Sequence, residues 1–171
     1  MRYIFILLFF IGSASVSQAQ TYLNCTEITV EARDYTHISK NLPTRNNNPG
    51  NIRKTLVNYF GETNVDATYE SFSSPIWGYA AMFDLLYRLY SGLTLKEAIY
   101  KWAPPSENDS ERYVKFVSGE VGVNPNKYII DVDNPSIMTV AKYMSVLEGM
   151  KGFSDSDIEL GYMLWEVCYY G

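Results

Sequence analysis

The chain is poor in the residues that most often hold metals. Among its 171 residues it has one histidine, His37, and two cysteines, Cys25 and Cys168. A structural zinc centre needs roughly four Cys or His ligands, so no metal is expected, and no cofactor either. A Cys–His or Ser–His nucleophile system would have to rest on His37 alone, in a polar segment without clean periodicity. The plain reading of His37 is an exposed polar side chain. Positive charge is also scarce: 14 Lys and Arg face 19 Asp and Glu, a net charge of −5. Nucleic-acid binding draws most of its affinity from basic patches, so it is not expected. No run of like charges exists, which leaves no polybasic membrane patch. Beyond the first residues, no stretch approaches the roughly 20 apolar residues that a membrane span requires. Internal repeats and low-complexity segments are missing too.

The one apolar run is Tyr3 to Ile11, behind Met1-Arg2 and ahead of Ser17-Gln18-Ala19. This is the pattern of a secretory signal peptide over residues 1–19, cleaved after Ala19. Tyr22-Leu23-Asn24 lacks the small residue that precedes a lipidated cysteine, so a soluble bacterial export product is expected, periplasmic or secreted. Residues 20–44 read as an N-terminal extension and residues 45–171 as a single domain. About 150 residues suffice for one sizeable core. In an exported chain, Cys25 and Cys168 invite a disulfide, which would tie the start of the mature chain to its last helix. The alternative is one buried thiol and one free.

Aromatic side chains are plentiful at 15%, including 15 Tyr. They serve either as core or as platforms for sugar rings, and composition does not separate the two. The most unusual stretch is Arg45-Asn46-Asn47-Asn48-Pro49-Gly50-Asn51-Ile52-Arg53. Pro49 and Gly50 exclude a helix interior. Asn tolerates left-handed backbone, Pro fixes φ and Gly supplies positive φ, so an ordered polar turn is expected. Its amides can donate and accept at once, which suits sugar hydroxyls and acetamido groups. Equally, the turn can serve only to cap its neighbours, since Asn-Pro-Gly is common turn punctuation.

The rest of the chain reads as mainly α, with about five helices and a small β-hairpin after the asparagine loop. Thr29-Val30-Glu31 suits a short strand or a short helix. Residues 56–60 and 65–69, around the turn Gly61-Glu62-Thr63-Asn64, form the expected hairpin. Ser74 caps and Pro75 opens a central buried helix that ends at Gly92. Thr94 to Glu97 is a capping-box pattern opening a helix over 95–102. Ser106, with acids in the first turn, opens another to about Val121. Asn134-Pro135 starts one to about Leu147, and Ser154 one to about Tyr169.

The asparagine loop, then Phe72-Ser73-Ser74-Pro75-Ile76-Trp77-Gly78-Tyr79, then Trp102-Ala103-Pro104-Pro105 with Glu107-Asn108-Asp109 and Tyr113, follow one another in a fixed order. This series resembles a family of small lysozyme-like proteins from phages, prophages and bacterial genomes, over roughly residues 45–124. The resemblance implies a lysozyme-like α+β fold and a cell-wall context, with peptidoglycan glycan strands as the partner of a monomer. Family members usually carry an arginine two residues after the glycine of the central helix, where this chain has Ala80.

Glycan cleavage requires a carboxylic acid that stays protonated near neutral pH. A hydrolase adds a second carboxylate about 5 to 9 Å away. A lytic transglycosylase manages with one, as the lysozyme-like resemblance implies. Glu107 matches the family motif and Glu70 lies at the junction before the central helix, so these two are the candidate catalytic acids. Glu62 and Asp66 are weaker ones. Asn47, Asn48, Asn51, Arg53, Trp102 and Asn108 are the candidate substrate-binding residues. Arg53 and Lys101 can meet muramyl-peptide carboxylates. The competing readings are ordinary helix-dipole chemistry for Glu107, a core position for Trp102 and solvated cations for Arg53 and Lys101. The same fold without catalysis, as a cell-wall-binding, assembly or inhibitor protein, is the rival function.

Overall fold

The central helix forms where the sequence supplies both its cap and its apolar face. Ser74 Oγ accepts from the Ile76 N–H, Pro75 takes the first helical position, and the helix α2 runs over Pro75–Tyr90. Its residues Tyr79 to Phe83 are completely buried, which fits a helix that is apolar around most of its circumference. The structure is a computed structural model describing residues 25–34 and 40–170. The proposed signal peptide and His37 lie outside the described residues.

Around α2 stand four further long helices and one short turn. A single turn, α1, spans Leu42–Arg45 behind an Asn41 cap. Helix α3 covers Leu95–Trp102 with the Thr94–Glu97 capping box fully formed. Helices α4 (Ser110–Val121), α5 (Ile137–Glu148) and α6 (Asp155–Cys168) complete the chain. The principal packing is α6 along α2, with α3, α4 and α5 forming a second group. The protein is mainly helical, with six helices among the described residues. None of them is long and apolar enough to cross a membrane.

Four expectations need correction. The hairpin is absent: residues 53–72 hold only the isolated bridges Arg53–Tyr69 and Glu62–Phe72. Side chains take the backbone groups that a ladder would use. Asp66 Oδ1 accepts from Thr68 and Tyr69, Ser71 Oγ accepts from Val65, and Glu70 accepts from Thr55. Leu56 and Val65 are also fully or largely exposed, and the apolar side chains that do turn inward, Val57, Tyr59 and Phe60, pack on the helical core. Next, α4 opens at Ser110 under an Asp109 cap, not at Ser106. The N–H groups of Glu107 and Asn108 both bond to Pro104 O, making a separate turn. Glu107 is therefore not in a helix. Third, Thr29 to Glu31 is neither strand nor helix. Fourth, α1 adds a sixth helix that its polar sequence did not announce.

The N-terminal segment is fastened at both ends. Cys25 and Cys168 form a disulfide, as the export context invites. Arg33 grips Asp157 with two bonds of 2.7 and 2.8 Å, and its own N–H bonds to Ser73 O. Ala80, where the resembled family has arginine, is fully buried on the face of α2 that α6 covers. An arginine there has no room while α6 is in place.

Candidate functional site

The asparagine loop is built from its own amides. Asn47 and Asn51 take left-handed backbone at φ of 50° and 47°, a conformation that asparagine tolerates better than most residues. Asn47 Nδ2 donates to Arg33 O and Phe72 O at 2.7 and 3.0 Å. Asn48 Nδ2 donates to Ile52 O and Glu70 O, and its Oδ1 accepts from the Ile52 N–H, each at 2.9 Å. Both residues are 3% exposed or less. The expectation that their amides face sugar is corrected here: a buried irregular loop has no ladder, so its backbone needs side-chain partners. Replacing Asn48 with Ala orphans the Ile52 N–H and Glu70 O, while Ile52 O keeps the Glu70 N–H. Its expected cost is about 3 kcal/mol or more, read as a lowered denaturant midpoint.

The loop is seated against α2 at Gly78. A β-carbon there would lie 2.0 Å from Asn47 O and 2.6 Å from Pro49 Cδ, so only glycine allows the contact. Gly50 plays a similar part and not the expected positive-φ one. A β-carbon on it would come within 2.9 Å of the Trp102 ring. Loop and Trp102 thus meet edge to edge.

Between the loop and the turn after α3 lies a cleft of about 480 Å³. Its lining includes Asn51, Arg53, Trp102, Glu107, Asn108 and Glu148. Four of the six expected binding residues and one of the two expected acids are therefore brought together. Arg53 and Glu107 face each other from opposite walls and pair at 2.7 Å, both well exposed. Trp102 is partly buried, tilts against Tyr90 with ring centroids 5.4 Å apart, and still borders the cleft.

The acid that the sequence reading missed is Glu148, the last residue of α5. Its Oε1 accepts from Tyr113 OH at 3.0 Å and from Trp102 Nε1 at 3.3 Å, and the Asn51 side chain also bonds to the carboxyl. Burial pushes the Glu148 carboxyl above the usual glutamate range, against the opposing pull of these three donors. A signal for it was present. An acid in the last turn of a helix opposes the helix dipole, so its position asks for an explanation. Gly149, at φ 92°, then turns the chain away.

The second expected acid lies elsewhere. Glu70 is 1% exposed, accepts from the Thr55 N–H at 2.9 Å, and has Lys54 Nζ 3.8 Å from its Oε2. It does not line the cleft. Burial raises its pKa, with the Glu62 charge adding to the rise and Thr55 and Lys54 opposing it. Lys54 also bonds to Glu62 and Asn64, so this group braces residues 54–70. Asp66 pairs with Arg45 and caps the Thr68 turn. Lys101 donates to Leu89 O at 2.7 Å.

The arrangement combines one partly buried carboxyl of raised pKa with an indole, two amides and an exposed ion pair. Such a set can hold a polar polymer and deliver a proton to it. Among the described residues, no group of three or more Asp, Glu, His or Cys side chains is placed to hold a metal ion.

No family model matches the sequence. The chain is 30% identical over 135 residues to Protein P5 of Pseudoalteromonas phage PM2, an alignment covering 74% of this chain and 81% of that protein. At that identity and coverage, the chain belongs to the family of Protein P5 of Pseudoalteromonas phage PM2.

Proposed function

We propose that this is an exported, lysozyme-like protein that binds peptidoglycan glycan strands and cleaves them, with Glu148 as the proton donor. The observation that carries the reading is the raised Glu148 carboxyl in the cleft beside Asn51, Trp102 and Asn108. The disulfide suits an oxidising compartment outside the cytosol. Of the expected acids, Glu107 is held by Arg53 and Glu70 stands outside the cleft. Glu148 donates its proton to the glycosidic oxygen, the C–O bond breaks, and positive charge develops on the sugar ring. A water molecule or the sugar's own hydroxyl then captures the ring carbon and returns its proton to the Glu148 carboxylate.

A second reading has one observation in its favour. The donors gathered on Glu148 also stabilise a carboxylate, as a protein that binds the wall without cutting it would permit. Purified protein incubated with sacculi separates the two. Released muropeptides support the enzyme. Binding without release supports the binding protein. Neither binding nor release overturns both.

A further inference from the structure

The cleft does not end at Glu148. Adjoining it at that carboxyl, a second depression of about 250 Å³ is lined by Asp109, Arg112, Tyr113 and Leu147. Asn108 and Glu148 border both depressions. The proposed proton donor thus borders both depressions, and a ligand seated over it can reach into each.

The cations near this path differ in what they already hold. Arg53 is paired with Glu107. Lys101 donates to Leu89 O and lies 5.0 Å from the Tyr90 ring centre. Arg112 sits in the first turn of α4. Its backbone N–H bonds to the Asp109 cap at 3.0 Å. Its guanidinium is exposed and makes no hydrogen bond or ion pair among the described residues. A guanidinium presents a planar fork that fits a carboxylate with two parallel bonds.

We propose that Arg112 is a specificity residue that recognises a carboxylate on the polymer occupying the second depression. This rests on the glycan-strand reading of the cleft and deepens it. The ligand is a carboxylate-bearing glycan that runs through both depressions, so an internal linkage lies over Glu148 and neutral glycans are poor ligands. The sequence pointed to Arg53 and Lys101 for this task, but in the folded chain both already have partners.

Binding of purified wild type and Arg112→Gln is measured by co-sedimentation with two preparations: native sacculi, and sacculi whose carboxyl groups have been amidated with methylamine. Loss of one charge-assisted bidentate contact is expected to weaken binding to native sacculi roughly tenfold. On amidated sacculi the two proteins should bind alike, both weakly. Arg112 is exposed and unpartnered, so the melting temperature should not move. Equal wild-type binding to both preparations overturns the proposal while leaving the glycan reading intact. So does an Arg112→Gln loss of the same size on both. Wild type that binds neither preparation overturns the glycan reading itself, and this proposal with it.

Discussion

Glu148→Gln should abolish sacculus cleavage while leaving sacculus binding in place. General acid catalysis contributes about 10²- to 10⁴-fold, and an amide of the same shape has no proton to give. The variant keeps an acceptor for Tyr113 and Trp102, so the cleft wall should stay intact. Muropeptide release, followed by chromatography, is the direct measurement. Stability supplies an independent check with a defined sign. The folded-state pKa of Glu148 is raised, so the unfolded chain ionises first as pH rises. The stability associated with the protonated carboxyl is complete below the unfolded value and is lost as pH climbs through the folded one. The glutamine variant escapes that loss. Its melting temperature should therefore exceed wild type at pH 7, and the gap should close near pH 4 and below. A variant that cleaves normally, or one that is less stable than wild type at pH 7, would remove Glu148 from the mechanism. Wild-type activity should also fall as pH rises through the Glu148 pKa, because the proton donor is then consumed.

Removing the disulfide carries the largest expected effect on stability. Cys25 and Cys168 are 143 residues apart in sequence. Closing so long a loop in the unfolded chain is worth about 5 kcal/mol on the chain-entropy account. For a domain near 150 residues this corresponds to roughly 10–20 °C in melting temperature. The Cys25→Ser, Cys168→Ser double variant should show that drop in a calorimetric scan, and wild type in reductant should show the same. The geometry adds a local consequence. Residues 25–34 are also tied down by Arg33 on Asp157 and Ser73 O and by Asn47 on Arg33 O, ties that cluster at the far end from Cys25, so the reduced protein should exchange amides fastest near Cys25. A drop under about 2 °C would mean that those polar anchors and the core suffice without the bridge.

The helices were legible where caps and periodicity agreed. Ser74-Pro75, Thr94–Glu97 and Ser154 each mark a real start, because a cap is a local device that needs only nearby residues. The start of α4 was misread because Ser106 and Asp109 are equally good caps. The choice was made by Pro104 O, which collects two N–H groups and closes a turn first. The hairpin was misread because β patterning says nothing about side chains such as Asp66, Glu70 and Ser71 that capture the backbone. The site was half legible. Arg53, Trp102, Glu107 and Asn108 stand together as their motifs suggested. Asn47 and Asn48 do not, since a sequence shows that an amide is present but not which way it points. For Glu148 the one local signal was its place in the last turn of a helix. Its special character comes from Tyr113, Trp102 and Asn51, which approach it from α4, α3 and the loop, and no local pattern brings those together.

The bridge between Cys25 and Cys168 has one more consequence. It makes nearly the whole described chain a covalently closed ring. A single proteolytic cut anywhere between those residues opens the ring but releases no fragment. The exposed stretch around Leu56 and Val65 is where a protease would first find purchase. A nick there leaves both halves of the cleft on one molecule until a reductant parts them. Outside a cell, where proteases are common and thiols scarce, that topology lets damage accumulate without disassembly.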